Sequence, residues 1–358
     1  MSRKPITIRD VARRAGVSAG TVSRSVAGRP GVHEATRQRV LTAVEELRYT
    51  PNLAAQRLST GRNLAIAVIV PFFTSPSVSM RLNGAVSVLA GSPYDLLIHN
   101  VETSEQRAHC FQLIPHRRQA DGVLIISLSP HDESEVASLA RAEMPVVFID
   151  ADHPDVKRLP RVIVDDVAGG RAATEHLLDL GHRTIGFVGD IPDSPFHFTS
   201  SRDRRVGCRQ ALEAAGLRLR SEHCAEGEAS RPAARRLARE VLATRERPTA
   251  IVAASDLQAV GVLEAARELG IAVPGQLSVI GYDDTEMAEV VGLTTIRQPL
   301  YRSGQRGMEL LLETLRGQPR GDVREVLPSE LVVRSTTAPP APSGFLPVPR
   351  AAVTPERR

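Results

Sequence analysis

At 358 residues the chain is longer than one ordinary hydrophobic core supports and suits two or three domains of about 100–150 residues. It is 42% hydrophobic, yet no apolar run reaches the ~18 residues a membrane span needs. Its net charge of +4 conceals a split, because residues 1–62 hold 12 Lys+Arg against 4 Asp+Glu and the remainder holds 33 against 37. A small basic module on a mildly acidic body is the pattern of a nucleic-acid binder, since phosphate neutralisation dominates such affinity. Lys4 and Lys157 are the only lysines, so arginine is favoured throughout, but that bias does not explain why acids avoid the first 62 positions. The stretch Met1–Ile8 is basic without an apolar h-region, so export is not expected and the cytoplasm is the expected location. Three scattered cysteines, Cys110, Cys208 and Cys224, imply neither a disulfide framework nor a zinc cluster.

In chain order, residues 6–28 read as two short helices. Thr7 is placed to cap the first, and Asp10 three positions on sets an acid at the positive helix end. Val11, Ala12 and Ala15 supply its apolar face and Gly16 its terminator. Ser18 caps a second helix, Ala19–Val26, with Val22 and Val26 turned inward. A longer amphipathic helix follows at about Glu34–Arg48, with Val40, Leu41, Val44 and Leu47 on one face. Pro51 stops what precedes it, and Asn52 is placed to cap a short segment, Leu53–Leu58.

From Leu64 short β-type runs alternate with helical stretches. The expected strands are Leu64–Val70, Asp95–Asn100, Gly122–Ser127, Val146–Asp150, Val162–Asp165, Thr184–Gly189, Ala250–Ser255 and Ser278–Asp283. Helical stretches such as Ala168–Leu180, Arg202–Ala215, Arg231–Ala243 and Asp256–Leu269 lie between them. Repeated β-α-β units mean parallel sheets covered by helices on both faces, and the strands are too many for one compact sheet. Two doubly wound lobes are expected. After Ser335 the chain becomes Pro-rich, and residues 338–358 are expected to be disordered.

Helix, glycine turn and second helix make the helix-turn-helix plan. The run Ile8-Arg-Asp-Val-Ala-Arg-Arg-Ala-Gly-Val-Ser-Ala-Gly-Thr-Val-Ser-Arg24 resembles the headpiece of LacI/GalR-family regulators. The resemblance continues through Arg37-Gln-Arg-Val, Tyr49-Thr-Pro-Asn and Leu58, and over the ligand domain to about Thr337. It implies a small all-α helix-turn-helix headpiece at 1–50, a hinge helix and linker at 51–62, and an α/β, two-lobed, periplasmic-binding-protein-like domain at 63–337 with doubly wound parallel sheets. The lobes would be about 63–163 with 295–325, and 164–290 with 326–335. It further implies a transcriptional regulator, most often a repressor, that binds a pseudo-palindromic double-stranded operator as a homodimer under control of a sugar-like effector.

By the same resemblance, Thr7, Ser18 and Thr21 meet phosphates, while Ser23 and Arg24 face the groove. Arg24 is the best base-edge reader, because a guanidinium matches guanine O6 and N7. Ala19 and Gly20 stand at the family's variable reading positions and donate no side-chain hydrogen bond, leaving a thymine-methyl contact or DNA shape. His33 replaces the serine that often caps the third helix. Asn52, Ala55 and Leu58 belong to the hinge segment, with Leu58 as the leucine that wedges between base steps in the minor groove.

In open α/β sheets, ligands bind outside the carboxyl ends of strands. Those ends here are Asn100, Ser127, Asp150, Ser255-Asp256 and Asp283-Asp284, with Asp256 and Asp284 equally suited to capping the next helix. The resemblance matches Asp283 in Ile280-Gly-Tyr-Asp-Asp to a sugar-binding acid and Arg204 to the ligand-gripping arginine. Asp150 and Ser255 complete the polar set, although Ser255 stands where asparagine is frequent and Ala151 where arginine is. Without tryptophan, an aromatic platform must come from Phe72, Phe73, Phe196, Phe198 or Tyr282, of which Phe72 and Phe73 are the chosen candidates. A carboxylate facing a guanidinium suits a polyhydroxy ligand.

Rival functions fare less well. Gly16-Val-Ser-Ala-Gly20 spells the hydrolase elbow G-x-S-x-G, but that chemistry requires a strand before the serine and a helix precedes it here. There is no P-loop, G-x-G-x-x-G or HExxH, so no catalysis, cofactor or metal is expected. A sugar-binding transport protein would share the two-lobed fold but not the basic headpiece. The charge split predicts salt-sensitive DNA binding. With roughly 6–10 phosphate contacts, operator affinity should fall about 10³–10⁵-fold between 50 and 200 mM salt. A titration without a salt slope, or equal affinity for random DNA, contradicts this.

Overall fold

The computed structural model describes residues 6–26, 28, 30–49, 62–116, 119–142, 144–152, 159–192, 194, 196, 198–317 and 323–341. They belong to two compact units, residues 1–63 and 64–358. Among its described residues the first holds three helices: α1 Ile8–Ala15, α2 Ala19–Val26 and α3 Glu34–Leu47. Val11, Ala12, Ala15, Val22, Val40 and Ala43 form its core, so each helix contributes a small or β-branched apolar face. Gly16, at φ 66°, ends α1 in the left-handed region that glycine adopts without cost. Asp10 accepts hydrogen bonds from the Thr7 amide (3.0 Å) and hydroxyl (2.7 Å), tying down the first turn. His33 stands at the N-cap of α3 without a side-chain capping bond.

The second unit is an α/β body of two six-stranded sheets. The first lobe begins with β1 Ala65–Pro71, α4 Pro76–Leu89, β2 Asp95–Val101, α5 Ser104–Leu113, β3 Gly122–Ile126, α6 Glu133–Ala140, β4 Val146–Ile149 and β5 Arg161–Val164. The chain then crosses and builds the second lobe from α7 Asp166–Asp179, β6 Ile185–Asp190, α8 Ser200–Ala214, β7 Cys224–Gly227, α9 Arg231–Leu242, β8 Ala250–Ala253, α10 Asp256–Glu268, β9 Ser278–Asp283, α11 Glu286–Val290 and β10 Thr294–Arg297. It returns to the first lobe as α12 Leu300–Leu315 and β11 Arg324–Leu327, and ends in the second as β12 Glu330–Val332. The sheet orders are β11-β5-β4-β3-β1-β2 and β12-β10-β9-β8-β6-β7. All pairings are parallel except β10 with β12. Strands β1, β3, β4, β8 and β9 are buried throughout, as strands covered by helices on both faces must be.

The two lobe boundaries differ from the sequence-based division. Residues 294–297, expected with the first lobe from 295 onward, pair with β9 in the second sheet, Thr294 opposite Ile280. Val326 and Leu327, expected in the second lobe, pair with Ile163 and Val164 in the first. In each case the strand completes its ladder before the chain crosses. The start of the tail also departs from the expected disorder. The Ala338 amide donates to Ser278 Oγ (3.0 Å), and its carbonyl accepts from the same hydroxyl (3.0 Å), because the backbone there satisfies a buried serine.

In each lobe a helix delivered from the other lobe is in backbone contact with its neighbour. A Cβ on Gly304 would lie 1.8 Å from the Arg81 carbonyl oxygen, and one on Gly84 would lie 1.9 Å from that of Tyr301, so α4 and α12 cross on these glycines. In the second lobe α7 and α8 cross on Gly170 and Gly207, where a Cβ would lie 2.1 Å from Arg204 O and 2.0 Å from Val167 O. Overpacking of this kind typically costs about 1–3 kcal/mol or more. We predict that Gly170→Ala lowers the unfolding free energy measured in urea by that amount, whereas Gly275→Ala, whose nearest neighbour would be 3.9 Å away, changes it by less than about 0.5 kcal/mol. Equal effects from the two would refute the close crossing.

Candidate functional site

In the headpiece, α2 turns Val22 and Ser25 inward and leaves Gly20, Ser23 and Arg24 exposed on one face. Ser18 caps this helix, accepting from the Thr21 amide (3.1 Å) and sharing a proton with the Thr21 hydroxyl (3.0 Å). The helix start therefore presents Ser18, Thr21 and its amide end together. Ala19 is only half-exposed, because its methyl packs partly on the headpiece core. A Cβ on Gly20 would lie 3.8 Å from Arg24 Nη1, so the guanidinium extends back over the glycine and commands that stretch of surface. Thr7 is exposed, its hydroxyl proton directed to Asp10. Asn52, Ala55 and Leu58 lie outside the described residues.

In the second unit most of the unusual non-glycine backbone lies at the carboxyl ends of strands. Phe72 (φ 42°), Ser127 (58°), Asp150 (59°), Asp283 (121°) and Asp284 (59°) all occupy the positive-φ region. Such conformations cost about 1–3 kcal/mol each and persist where surrounding contacts enforce them, commonly at functional sites. The strand-end backbone supplies part of that enforcement: Ser127 N donates to Ile149 O (2.8 Å) and Asp150 N to Val162 O (2.9 Å).

The polar side chains form one chain of contacts across the lobes. Ser127 Oγ donates to Asp150 (2.8 Å), which also pairs with Arg81 Nη2 (2.9 Å). Arg81 Nη2 reaches Gln298 Oε1 (3.0 Å), and the Gln298 amide nitrogen donates to Asp283. Arg204 Nη1 stands 3.8 Å from Asp283, while its Nε donates to Asp166 (2.7 Å) and its Nη1 to the Ala254 carbonyl. The Arg204 guanidinium lies 3.7 Å above the Tyr282 ring. Gln298 sits where the chain passes from β10 to α12, so the contact chain runs through a crossover. Asp150, Arg204 and Asp283 thus belong to one chain of contacts, Asp150 reaching Asp283 through Arg81 and Gln298. Arg81, Gln298 and Asp166 join them unforeseen. Arg81 carried a signal, being the only charged residue between Pro76 and Tyr94.

Burial sets the protonation of this cluster. It pushes Asp283 and Asp166 up to about 7, with Arg204 pulling both part of the way back. Burial works against the Arg204 charge, but Asp166, then Asp283 and Asp150, outweigh it and strengthen its hold on the proton. Asp190, at the end of β6, is likewise raised by burial and accepts from Gln258 Nε2 (2.8 Å). Asp256 rises to about 6 on burial, although the Thr295 hydroxyl and the Thr285 amide and hydroxyl all donate to it.

Other candidates serve local structure. Ser255 caps α10, accepting from the Gln258 amide (3.2 Å) and donating to Gln258 Oε1 (3.1 Å), so its hydroxyl is engaged away from Asp283. Asp284 pairs with Arg297 and Arg334 (2.7 Å). Tyr282, 1% exposed beneath Arg204, offers no platform. Phe72 does meet an aromatic group: its ring stands edge-on to Phe196 at 5.0 Å, and Phe196 stacks on Phe198 at 5.4 Å. Phe73 is 45% exposed, its amide donating to Asn100 Oδ1 (3.0 Å). Beside Asp150 and Asp166 a cleft of about 120 Å³ remains, also lined by Thr199 and Asp203.

Residues 7–52 match the model for bacterial regulatory proteins of the lacI family, and residues 174–337 match that for the periplasmic binding protein-like domain. The chain is 32% identical to the HTH-type transcriptional regulator DegA of Bacillus subtilis (strain 168), covering 93% of this chain and 98% of that one. It is 31% identical to the HTH-type transcriptional repressor CytR of Escherichia coli (strain K12), covering 92% and 96%. Among solved structures it is similar to the Lac repressor dimer bound to operator and the anti-inducer ONPF, with TM-score 0.82 and 29% identity over 94% of this chain and 100% of that one. It is also similar to a transcriptional regulator CelR–cellobiose complex, with TM-score 0.69 and 29% identity over 92% and 99%. These relatives are transcriptional regulators, not enzymes. With a helix-turn-helix headpiece, a two-sheet ligand-binding body and such identity over nearly its whole length, the chain belongs to the LacI family and is a DNA-binding transcriptional repressor.

Proposed function

We propose that this repressor acts in the cytoplasm as a homodimer on a pseudo-palindromic operator and is controlled by a sugar or sugar derivative bound between its lobes. The observation that carries the effector reading is the linkage of the strand-end acids Asp150 and Asp283 from two lobes through Arg81 and Gln298, with Arg204 on α8 beside Asp283. Acceptors and donors side by side suit hydroxyl groups, and Phe72 with Phe196 offers an apolar ring face nearby. The cleft beside Asp150, which Arg204 and Asp283 do not line, has a volume of about 120 Å³, well below the ~300 Å³ of ordinary ligand pockets. Admitting an effector therefore requires the lobes to part and the contact chain to rearrange. Unequal affinity for the two arrangements is what couples ligand to DNA. Ser18, Thr21, Ser23, Arg24 and Thr7 would hold the operator, with Asn52, Ala55 and Leu58 assigned to its minor groove by resemblance.

The dimer is supported by exposed apolar groups. Edge strand β2 presents Leu97 (37% exposed) and Ile98 (48%), with Val86 on α4, and α11 presents Met287 and Val290. An uncovered apolar sheet edge is a liability that a second copy removes. Sedimentation equilibrium should give twice the 38.7 kDa chain mass, and a monomer at micromolar concentration rules out the arrangement.

Arg204→Ala should cost about 2 kcal/mol or more of effector affinity, because it leaves a ligand group and buried carboxylates unpaired. Asp283→Asn keeps the shape and part of the hydrogen bonding, so its loss is smaller. Both variants should flatten the change in operator affinity that the effector causes. Calorimetric titration together with operator binding, with and without effector, checks this. Loss of DNA binding with unchanged effector affinity would assign these residues to the fold or dimer instead.

A further inference from the structure

The two lobes repeat one plan, and the repeat assigns a partner to Arg204. In each lobe a helix follows the first strand, α4 after β1 and α8 after β6, and crosses a helix delivered from the other lobe, α12 after β10 and α7 after β5. Arg204 stands three residues before Gly207 on α8, and Arg81 three before Gly84 on α4. The Arg204 carbonyl presses on Gly170, the fifth residue of α7, and the Arg81 carbonyl on Gly304, the fifth residue of α12. Gly207 faces the carbonyl of the second residue of α7, and Gly84 that of the second residue of α12. The acids correspond as well, since Asp150 follows β4 and Asp283 ends β9, each the fourth strand of its lobe.

We infer that Arg81 is the first lobe's effector-gripping arginine, the counterpart of Arg204, so that the ligand is held between two acid–guanidinium pairs, Asp150 with Arg81 and Asp283 with Arg204. This rests on reading the cleft as the effector site. Arg81 is 2% exposed, and its Nη2 contacts Asp150 and Gln298. Its buried Nε has no hydrogen-bond partner among the described residues. In a planar guanidinium that N–H lies along the same edge as one Nη2–H, and Asp150 stands 2.9 Å from Nη2. A hydroxyl placed there accepts from Nε and donates to the Asp150 carboxylate, satisfying a donor that is otherwise costly to bury.

The same geometry names the ligand class. Two acid–guanidinium pairs on opposite lobes call for hydroxyl groups on two sides of one molecule. Each guanidinium is already paired with a buried carboxylate, Arg81 with Asp150 and Arg204 with Asp166, so neither is free to neutralise a phosphate or carboxylate on the ligand. The effector is an uncharged polyhydroxy compound.

The test is equilibrium dialysis of the full-length protein against an equimolar mixture of D-ribose, D-glucose, cellobiose, D-glucuronate and glucose 6-phosphate, with retained compounds quantified by mass spectrometry. The wild type should retain a neutral sugar, and Arg81→Met and Arg81→Lys should each reduce that retention about tenfold or more. Arg81→Lys keeps a charge against Asp150 but not the fork, so it separates recognition from folding, with melting temperatures recorded for both variants. Lowered melting temperature with unchanged retention by Arg81→Lys overturns the assignment and makes Arg81 a packing residue. Retention of glucuronate or glucose 6-phosphate in place of the neutral sugars overturns the ligand class. Retention of none of the five by the wild type removes the sugar reading of the cleft itself.

Discussion

Charges withdrawn from water must find opposite charge and hydrogen bonds where they are buried, and the ligand domain is arranged around that requirement. Arg204 and Arg81 are almost fully enclosed, and three carboxylates, a glutamine and a backbone carbonyl are set around them. The positive-φ residues at the strand ends are the backbone consequence, since they turn Ser127, Asp150 and Asp283 to where those groups are needed. The glycine crossings are the helical consequence. Only helices in backbone contact place the two arginine carbonyls against Gly304 and Gly170 and so fix where each side chain departs. Removing one charge leaves its partners desolvated, which is why the cluster behaves as a unit.

That unit spans both lobes because the chain crosses between them. Gln298 lies on a crossover and touches Arg81 of the first lobe and Asp283 of the second. Any molecule that takes over hydrogen bonds on one side of the cleft disturbs those on the other. A sensor needs that property, and a rigid enzyme pocket does not. The headpiece answers to a different constraint, the electrostatics of phosphate: acids are scarce there, and α2 keeps its apolar groups inside and its short polar groups and Arg24 outside.

Much of this was legible in the residues. The central strands could be read because runs such as Ala65–Val70 and Gly122–Ile126 are buried on both faces and therefore uninterrupted by polar residues. Strands β7, β10, β11 and β12 were not, being three or four residues long and, like Arg324-Glu-Val-Leu, carrying charge among their apolar positions. Asp150 and Asp283 stood out at strand ends, whereas Arg204 came from the family resemblance alone. Arg81 lies on a helix, where strand-end position gives no signal. A helix cap and a pocket hydroxyl look identical in sequence, and the bonds of Ser255 to Gln258 show it acting as a cap.

The most direct test of the two-sided cleft is a crystal structure of the full-length protein with the sugar it retains. The account predicts ligand hydroxyls within hydrogen-bond distance of Asp150 and Arg81 on one side and of Asp283 and Arg204 on the other, with the Arg81–Gln298 contact altered. A ligand bound elsewhere, or bound while the Asp150–Arg81–Gln298–Asp283 chain stays intact, would contradict it.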